Sequence, residues 1–409
     1  MCTAADRATS GPPPRGPATA GCRRLIAALA TTLLLCLSAG PVAAAPAEQD
    51  VTATGAVLWD PADGRVLFGK QARAALPMAS TTKIMTVLLA LEAGAAEQTL
   101  TVSAQAAAVD DDAGAATLGL QPGQQLPLAS VLEAVLLRSG NDAAVAIAEH
   151  VAGSEPTFVA RMNARAVELG LNATNFVNAS GLTNDLAHHA SPVDLARLAE
   201  VAMRDDDFRD WAGSTSSTVP GIGTVVNRNE LLVRYGGADG VKTGYTGLAG
   251  LCLVASATRD GRQLFSVVLD SQASFSDAAA LLDYGFTAFR RVQPLRRRAP
   301  VTRYHWADAE VALIADDALG RTLPAAAPAR WRTVLQPAAR RPLRRGQVLG
   351  RAELVTGGRV VDRVALRAAR SVPASPPEAS PVAGATTVGR AVQNAVRAFA
   401  RLRPVTRDL

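Results

Sequence analysis

Apolar residues along this chain recur first in short runs, then at helical spacing, then in runs again. Gly55-Ala-Val-Leu-Trp-Asp60 and Arg65-Val-Leu-Phe68 flank the turn residues Pro61-Ala-Asp-Gly64, which predicts a strand, a tight turn and a second strand. From Pro77 and Ser80, the apolar positions Ile84, Val87, Leu88 and Leu91 follow a helical period that Gly94 ends. Leu128 to Leu137 predicts a second helix leading into Ser139-Gly140-Asn141, and Ala143 to His150 predicts a third. Arg161 to Leu169, closed by Gly170, and the stretch from Pro192 to about Met203 extend the helical block. Beyond Gly240 the pattern changes. Gly250 to Thr258 and Gln263 to Leu269 are apolar runs joined by Arg259-Asp260-Gly261, a hairpin pattern. A helix from Ser276 to Phe289 follows, and from Val292 to Val372 there are short alternating runs such as Arg359-Val-Val-Asp-Arg-Val-Ala-Leu366. Helices bracketed by hairpins, without strand–helix–strand repeats, predict an α+β domain around an antiparallel sheet, then a small all-β domain.

The two ends read differently from the middle. Arg15, Arg23 and Arg24 precede an apolar run from Leu25 to Leu37 and the small residues Val42-Ala43-Ala44, the pattern of an export signal over 1–45. The run is short for a membrane span, so cleavage is the first reading and a retained anchor the second. Pro373 to Ala385 is rich in proline, alanine and serine and reads as a linker over 374–386. In the last segment, 387–409, Val388, Val392, Ala395, Val396, Phe399 and Leu402 alternate with arginines, predicting a cationic amphipathic helix suited to a membrane surface. Packing of that helix on its own domain is the competing reading.

Composition narrows the compartment and the chemistry. The net charge is +6, and much of the positive charge lies after Arg290, pointing to anionic partners such as phospholipid headgroups or cell-wall polymers. No nucleic-acid fold signature accompanies it. Cys2, Cys22 and Cys36 would leave with the export signal, so Cys252 remains alone, without a disulfide partner, as a buried small hydrophobe. His150, His188, His189 and His305 have no metal-ligand spacing, and His188-His189 reads as an exposed loop pair. Asp110-Asp111-Asp112 reads as a solvated loop.

Lysine is the informative residue. Lysine and arginine together number 42, yet only Lys70, Lys83 and Lys242 are lysines. Arginine does not lose its proton in a protein, whereas a desolvated lysine can become neutral and act as a base. Lys83 stands three residues after Ser80, on the same helical face, where a neutral amine can take the hydroxyl proton. Backbone N–H groups near a helix start favour an oxyanion there. Ser139-Gly140-Asn141 offers a second hydroxyl and an amide. Lys242-Thr243-Gly244 offers a positive charge, a hydroxyl and a glycine that permits close approach to the backbone. Each motif alone fits an ordinary cap or turn; the three together, in this order, point to an active-site serine with a lysine base.

At this point the chain resembles the D-alanyl-D-alanine carboxypeptidases, low-molecular-mass penicillin-binding proteins of the superfamily that includes serine β-lactamases. The resemblance runs from Gly55 to about Val372 and rests on Met78-Ala-Ser-Thr-Thr-Lys-Ile-Met-Thr86, Ser139-Gly-Asn-Asp-Ala143, Asp239-Gly-Val-Lys-Thr-Gly-Tyr-Thr246 and Leu281-Leu-Asp-Tyr-Gly-Phe286. Arg341-Pro-Leu-Arg-Arg-Gly-Gln-Val-Leu-Gly350 resembles a segment of the family's small C-terminal β domain. It implies a transpeptidase-like domain, a helical cluster on an antiparallel sheet, over 48–291, and an all-β domain over 292–373. It also implies the roles. Ser80 attacks the bond between two D-alanines and becomes an acyl-enzyme, with Lys83 as base. Ser139 relays a proton, Asn141 orients Lys83 and the substrate amide, and Lys242 and Thr243 receive the terminal carboxylate, with Gly244 leaving room for the substrate. The N–H groups of Ser80 and Tyr245 form the oxyanion hole. The implied partners are a peptidoglycan peptide ending in D-Ala-D-Ala, β-lactam antibiotics and, through the terminal basic helix, a membrane surface. No cofactor and no metal is implied, and the implied place is outside the cytoplasmic membrane.

Two positions depart from the family pattern. Ser180-Gly181-Leu182 stands where relatives often have His-Gly-Leu, and Ser274 stands where they often have an arginine seven residues before the Leu281-Leu282 pair. The second departure shifts carboxylate binding toward Lys242. It also motivates a rival reading, a catalytically weak penicillin-binding scaffold. A β-lactamase is the other rival, because Glu168-Leu-Gly-Leu-Asn172 matches a pattern one lactamase class uses to activate water. Glu168 reads more simply as the last turn of a helix stopped by Gly170, and Gly140 in place of an acidic residue favours the peptidase.

Overall fold

The computed structural model describes residues 45–109, 116–306, 309–337, 342–373 and 406–408. Its centre is a five-stranded antiparallel sheet of β1 (Gly55–Asp60), β2 (Arg65–Lys70), β3 (Ala238–Thr246), β4 (Gly250–Arg259) and β5 (Arg262–Ser271), in the order β2-β1-β5-β4-β3. The expected hairpin between β4 and β5 is present. Asp260 and Gly261 both have positive φ (51° and 73°), the backbone of a two-residue turn whose twist matches the flanking strands. β3 therefore lies at an open edge, beside β4, with Lys242 opposite Val254 and Gly244 opposite Cys252.

Both faces of the sheet are covered, which explains why its strands read as continuous apolar runs rather than a clean alternation. Val57, Trp59, Val254, Phe265 and Val267 enter one core; their neighbours Ala56, Leu58, Leu253, Ala255, Leu264 and Val268 enter another. The larger core is closed by six helices: α1 (Lys83–Glu92), α2 (Leu128–Arg138), α3 (Asn141–Ala152), α4 (Glu155–Glu168), α5 (Pro192–Ala202) and α6 (Asp206–Gly213). The opposite face is covered by α7 (Ser274–Ala288), through Ala278, Leu281 and Leu282. Local chemistry sets the helix ends. Ser191 caps α5 by accepting the N–H of Asp194, with Pro192 at the first position, where its missing N–H costs nothing.

One boundary departs from the sequence reading in a way that matters for the chemistry. Pro77 does not open a helix: Leu76–Pro77 is a short strand paired with His189–Ala190. Ala79–Thr82 forms a 3-10 turn and the α-helix begins only at Lys83. Ser80 thus sits on a turn rather than at an ordinary helix cap.

The β-rich part of the chain opens on a strand that follows directly after α7. It contains β6 (Phe289–Leu295), β7 (Pro300–Trp306), β8 (Ala309–Ala315), β9 (Leu319–Pro324), β10 (Arg330–Leu335), β11 (Val348–Thr356) and β12 (Arg359–Ala368). β6 pairs with β9, and β7-β8-β12-β11-β10 form one antiparallel sheet around their own apolar core. Of the expected terminal helix, residues 387–405 and 409 lie outside the described residues. Thr406–Asp408 is not helical but extended, pairing with β10, so the ladder hydrogen bonds of that strand replace the helical ones there. Asp110, Asp111 and Asp112 also lie outside the described residues.

Candidate active site

The turn that carries Ser80 is held in an uncommon conformation. Ala79 has φ +46°, which costs a non-glycine residue energy and persists only when its surroundings enforce it. Two glycines provide that enclosure. A Cβ on Gly244 would meet Ser80 N at 3.0 Å and Ala79 Cβ at 3.1 Å, and one on Gly181 would sit 2.0 Å from the Ala79 carbonyl oxygen. Thr81 adds a bond from its hydroxyl to Met78 O at 2.6 Å.

Lys83 is fully buried at the start of α1, and its Nζ lies 2.9 Å from Ser80 Oγ, 2.7 Å from Asn141 Oδ1 and 2.6 Å from Ser180 O. Burial pushes its pKa well below 10.5, helped by the positive charges of Lys242 and Arg228 and opposed by Asp142. In these contacts Lys83 Nζ is within donor distance of three oxygens, Ser80 Oγ, Asn141 Oδ1 and Ser180 O. Asn141 Oδ1 and Ser180 O can only accept, so an uncharged amine giving its two N–H bonds to them keeps one lone pair on the side of Ser80 Oγ.

The segment between α2 and α3 completes the wall. Ser139 ends α2 in a left-handed conformation (φ 73°), and its buried Oγ has no hydrogen-bond partner. Such an orphan lining a cleft is a group available to a substrate atom. Gly140 permits the close approach: a Cβ there would lie 2.5 Å from Leu118 Cγ. Asp142 accepts N–H groups of Leu118 and Leu120 and pins the adjoining loop. Asn141 does not cap α3; its side chain is committed to Lys83.

Opposite stands β3. Lys242 is buried, its Nζ donating to Thr243 O at 3.0 Å, with a pKa lowered to about 7 by burial and by Arg228. Thr243, Gly244, Tyr245 and Thr246 line a cleft of about 220 Å³ together with Ser80, Ser139, Asn141, Leu182 and Arg228. Lys242 lies beside it, close enough to influence Lys83. All eight residues singled out in the sequence therefore meet in or next to one cleft.

Five other residues bear on the sequence reading. Arg228 is a cleft residue that no motif marked, because one arginine among many carries no pattern. Ser274, at the start of α7, is not among the cleft-lining residues. His188 is a correction: it is buried, not exposed, with its pKa lowered to about 4 mainly by burial. Glu168 ends α4, 63% exposed and paired with Arg165, away from Ser80. Cys252 is buried and free, as expected, its thiol pushed up to about 12 by burial.

A serine hydroxyl 2.9 Å from a buried amine of lowered pKa is the arrangement found in serine-type acyl-transfer hydrolases. Comparison with known proteins agrees. The sequence pattern of D-alanyl-D-alanine carboxypeptidases matches residues 42–273. D-alanyl-D-alanine carboxypeptidase DacC of Escherichia coli is 34% identical over 339 residues, 78% of this chain and 84% of the relative. DacF of Bacillus subtilis is 35% identical over 258 residues, 60% of this chain and 65% of DacF. The solved penicillin binding protein 5 of Haemophilus influenzae covers 81% of this chain and 99% of its own, with 29% identity and a TM-score of 0.69. This chain belongs to the D-alanyl-D-alanine carboxypeptidase family and is a serine-type hydrolase of the penicillin-binding class.

Proposed function

We propose that this protein removes the terminal D-alanine from peptidoglycan stem pentapeptides through a Ser80 acyl-enzyme. The observation that carries the reading is the triangle of contacts at Lys83, which leaves one lone pair for one proton. The substrate's extended end docks along the open edge of β3, where backbone groups can pair with it. Lys242, Thr243 and Arg228 receive its carboxylate, Arg228 compensating for the serine at position 274. Ser80 Oγ forms a bond to the penultimate D-alanine carbonyl as its proton passes to Lys83. The N–H groups of Ser80 and Tyr245 stabilise the oxyanion. Ser139 passes its proton to the departing D-alanine nitrogen as the peptide bond breaks and takes in exchange the proton that Lys83 received from Ser80, so Lys83 is neutral again. Water then attacks the ester, Lys83 takes its proton, and Ser80 regains its hydroxyl. A β-lactam enters by the same first step and stays because its leaving group remains attached.

D-alanine release from a pentapeptide, measured beside labelling by a fluorescent penicillin, tests this. The expected result is stable labelling with release, and loss of both in Ser80→Ala. Labelling without release makes the protein a scaffold module, the reading that Ser274 motivates. Rapid turnover of the antibiotic makes it a lactamase.

The same reading places the enzyme outside the cytoplasmic membrane, exported by the 1–45 segment and drawn to an anionic surface by its basic C-terminal region. Among the described residues no helix is long and apolar enough to cross a membrane. Co-sedimentation with phosphatidylglycerol vesicles, compared with phosphatidylcholine vesicles, tests the surface association; equal recovery from both refutes it.

A further inference from the structure

The strained residue before the nucleophile is held from beneath by a chain of hydrogen bonds that ends in His188. Nδ1 of His188 accepts the backbone N–H of Val177 at 3.0 Å, so the ring proton is on Nε2. Nε2 lies 2.6 Å from Thr82 Oγ1, and Thr82 Oγ1 donates to Ala79 O at 2.7 Å. Only one direction is consistent throughout: Nε2–H gives to Oγ1, and Oγ1–H gives to the carbonyl. Ala79, Thr82 and His188 are all buried.

Ala79 C=O and Ser80 N–H belong to one planar peptide unit, and in a trans peptide they point in opposite directions. A carbonyl drawn inward to Thr82 therefore turns the Ser80 N–H outward. Gly181 leaves room for that carbonyl and no more, since a Cβ there would overlap it.

We infer that His188 and Thr82 are positioning residues that aim the Ser80 N–H into the cleft as an oxyanion donor by pinning the Ala79 carbonyl. This rests on the acyl-enzyme reading above. His188 keeps Thr82 Oγ1 from rotating by supplying the one donor that hydroxyl can accept from beneath. Neither residue touches the reacting atoms.

A misaimed oxyanion donor weakens transition-state binding while leaving substrate binding intact, so its mark is a loss in kcat without a change in KM. The test measures D-alanine release from a pentapeptide in the full chain, with rates normalised to active sites titrated to completion by fluorescent penicillin. Thr82→Val, which keeps the shape and removes the hydroxyl, should lower kcat roughly ten- to a hundred-fold with KM within about two-fold. Thr82→Ser, which restores the hydroxyl, should return kcat to within about three-fold of the parent. His188→Ala should fall in the same direction as Thr82→Val, and the double variant should be no worse than the more damaged single one. A peptide boronic acid, which makes a tetrahedral adduct with Ser80, should bind the Val variant less tightly by the same factor as the kcat loss. An unchanged kcat per titrated site in Thr82→Val overturns the inference, as does a loss that Thr82→Ser does not rescue. Should Ser80→Ala still release D-alanine, the acyl-enzyme reading itself falls, whatever the Thr82 variants show.

Discussion

Lys83 and Lys242 are both buried amines with lowered pKa values, and the proposed mechanism gives them opposite duties. Lys83 must be neutral to accept the Ser80 proton; its pKa is held well below 10.5 by burial and by the positive charges of Lys242 and Arg228. Lys242 must be charged to meet a carboxylate, yet burial and Arg228 bring it to about 7 in the free enzyme. As pH falls Lys83 gains a proton and the base is lost; as pH rises through about 7 Lys242 loses its charge and the carboxylate loses a partner. The expected kcat/KM profile for a D-Ala-D-Ala peptide is therefore bell-shaped, with its alkaline limb reporting Lys242. Lys242→Arg, which cannot deprotonate in this range, should flatten that limb even where it lowers the maximum. An alkaline limb unchanged in Lys242→Arg would assign it to another group. The scarcity of lysine made both residues legible in the sequence, since arginine occupies almost every other basic position. Lys70, the third, is half-buried, and its Nζ donates to Val51 O. His188 was not legible, because two adjacent histidines carry no sign of which one the fold will bury.

At the scale of elements, periodicity carried the sequence reading well. The β1–β2 hairpin, the α2 and α3 helices and the two-residue turn at Asp260-Gly261 each follow from local pattern and turn chemistry. The catalytic turn does not. A helical period from Ser80 onward looks uninterrupted, but the strand at Leu76–Pro77 and the neighbouring glycines tighten its first turn into a 3-10 form. That enclosure gives a direct prediction. Gly181→Ala puts a Cβ 2.0 Å from the Ala79 oxygen, at a φ of +81°. The turn must move, so penicillin acylation measured by stopped flow should slow at least about ten-fold, with loss of about 1–3 kcal/mol of stability. Acylation at the parental rate would show that the turn has slack the geometry does not suggest. A matching change at Gly261, in the distant hairpin, should destabilise without slowing acylation per active site.

Across the whole molecule, the two domains are joined at the tip of the β1–β2 hairpin. Asp63 is buried there against Arg291 of β6, lies 3.4 Å from Arg321, and accepts the N–H of Thr322. Asp60 pairs with Arg262, whose guanidinium also donates to Gly285 O and Phe289 O at the end of α7. These bonds link the sheet, α7 and the β-rich part of the chain. Asp63→Ala leaves two arginines and a backbone N–H without their acceptor, a loss of roughly 3 kcal/mol for a buried pair broken on one side. Calorimetry should then show the β domain melting earlier than the peptidase domain, while penicillin acylation at 25 °C stays within about two-fold. A single transition at the parental temperature would show that the apolar contacts alone hold the domains together.

Ser80, Lys83, Ser139, Asn141 and the Lys242-Thr243-Gly244 strand were readable as chemistry from residue type and spacing, and the mixed fold was readable from the period of the apolar positions. Both kinds of information are local, written within a few residues. Which amine would be neutral, which histidine would be buried under the nucleophile and which arginine would enter the cleft depended on distant chain segments being brought together, Lys83 with Asn141 at a separation of 58 residues and Thr82 with His188 at 106. Desolvation and a neighbour's charge arise only after packing, so those properties belonged to the folded molecule alone.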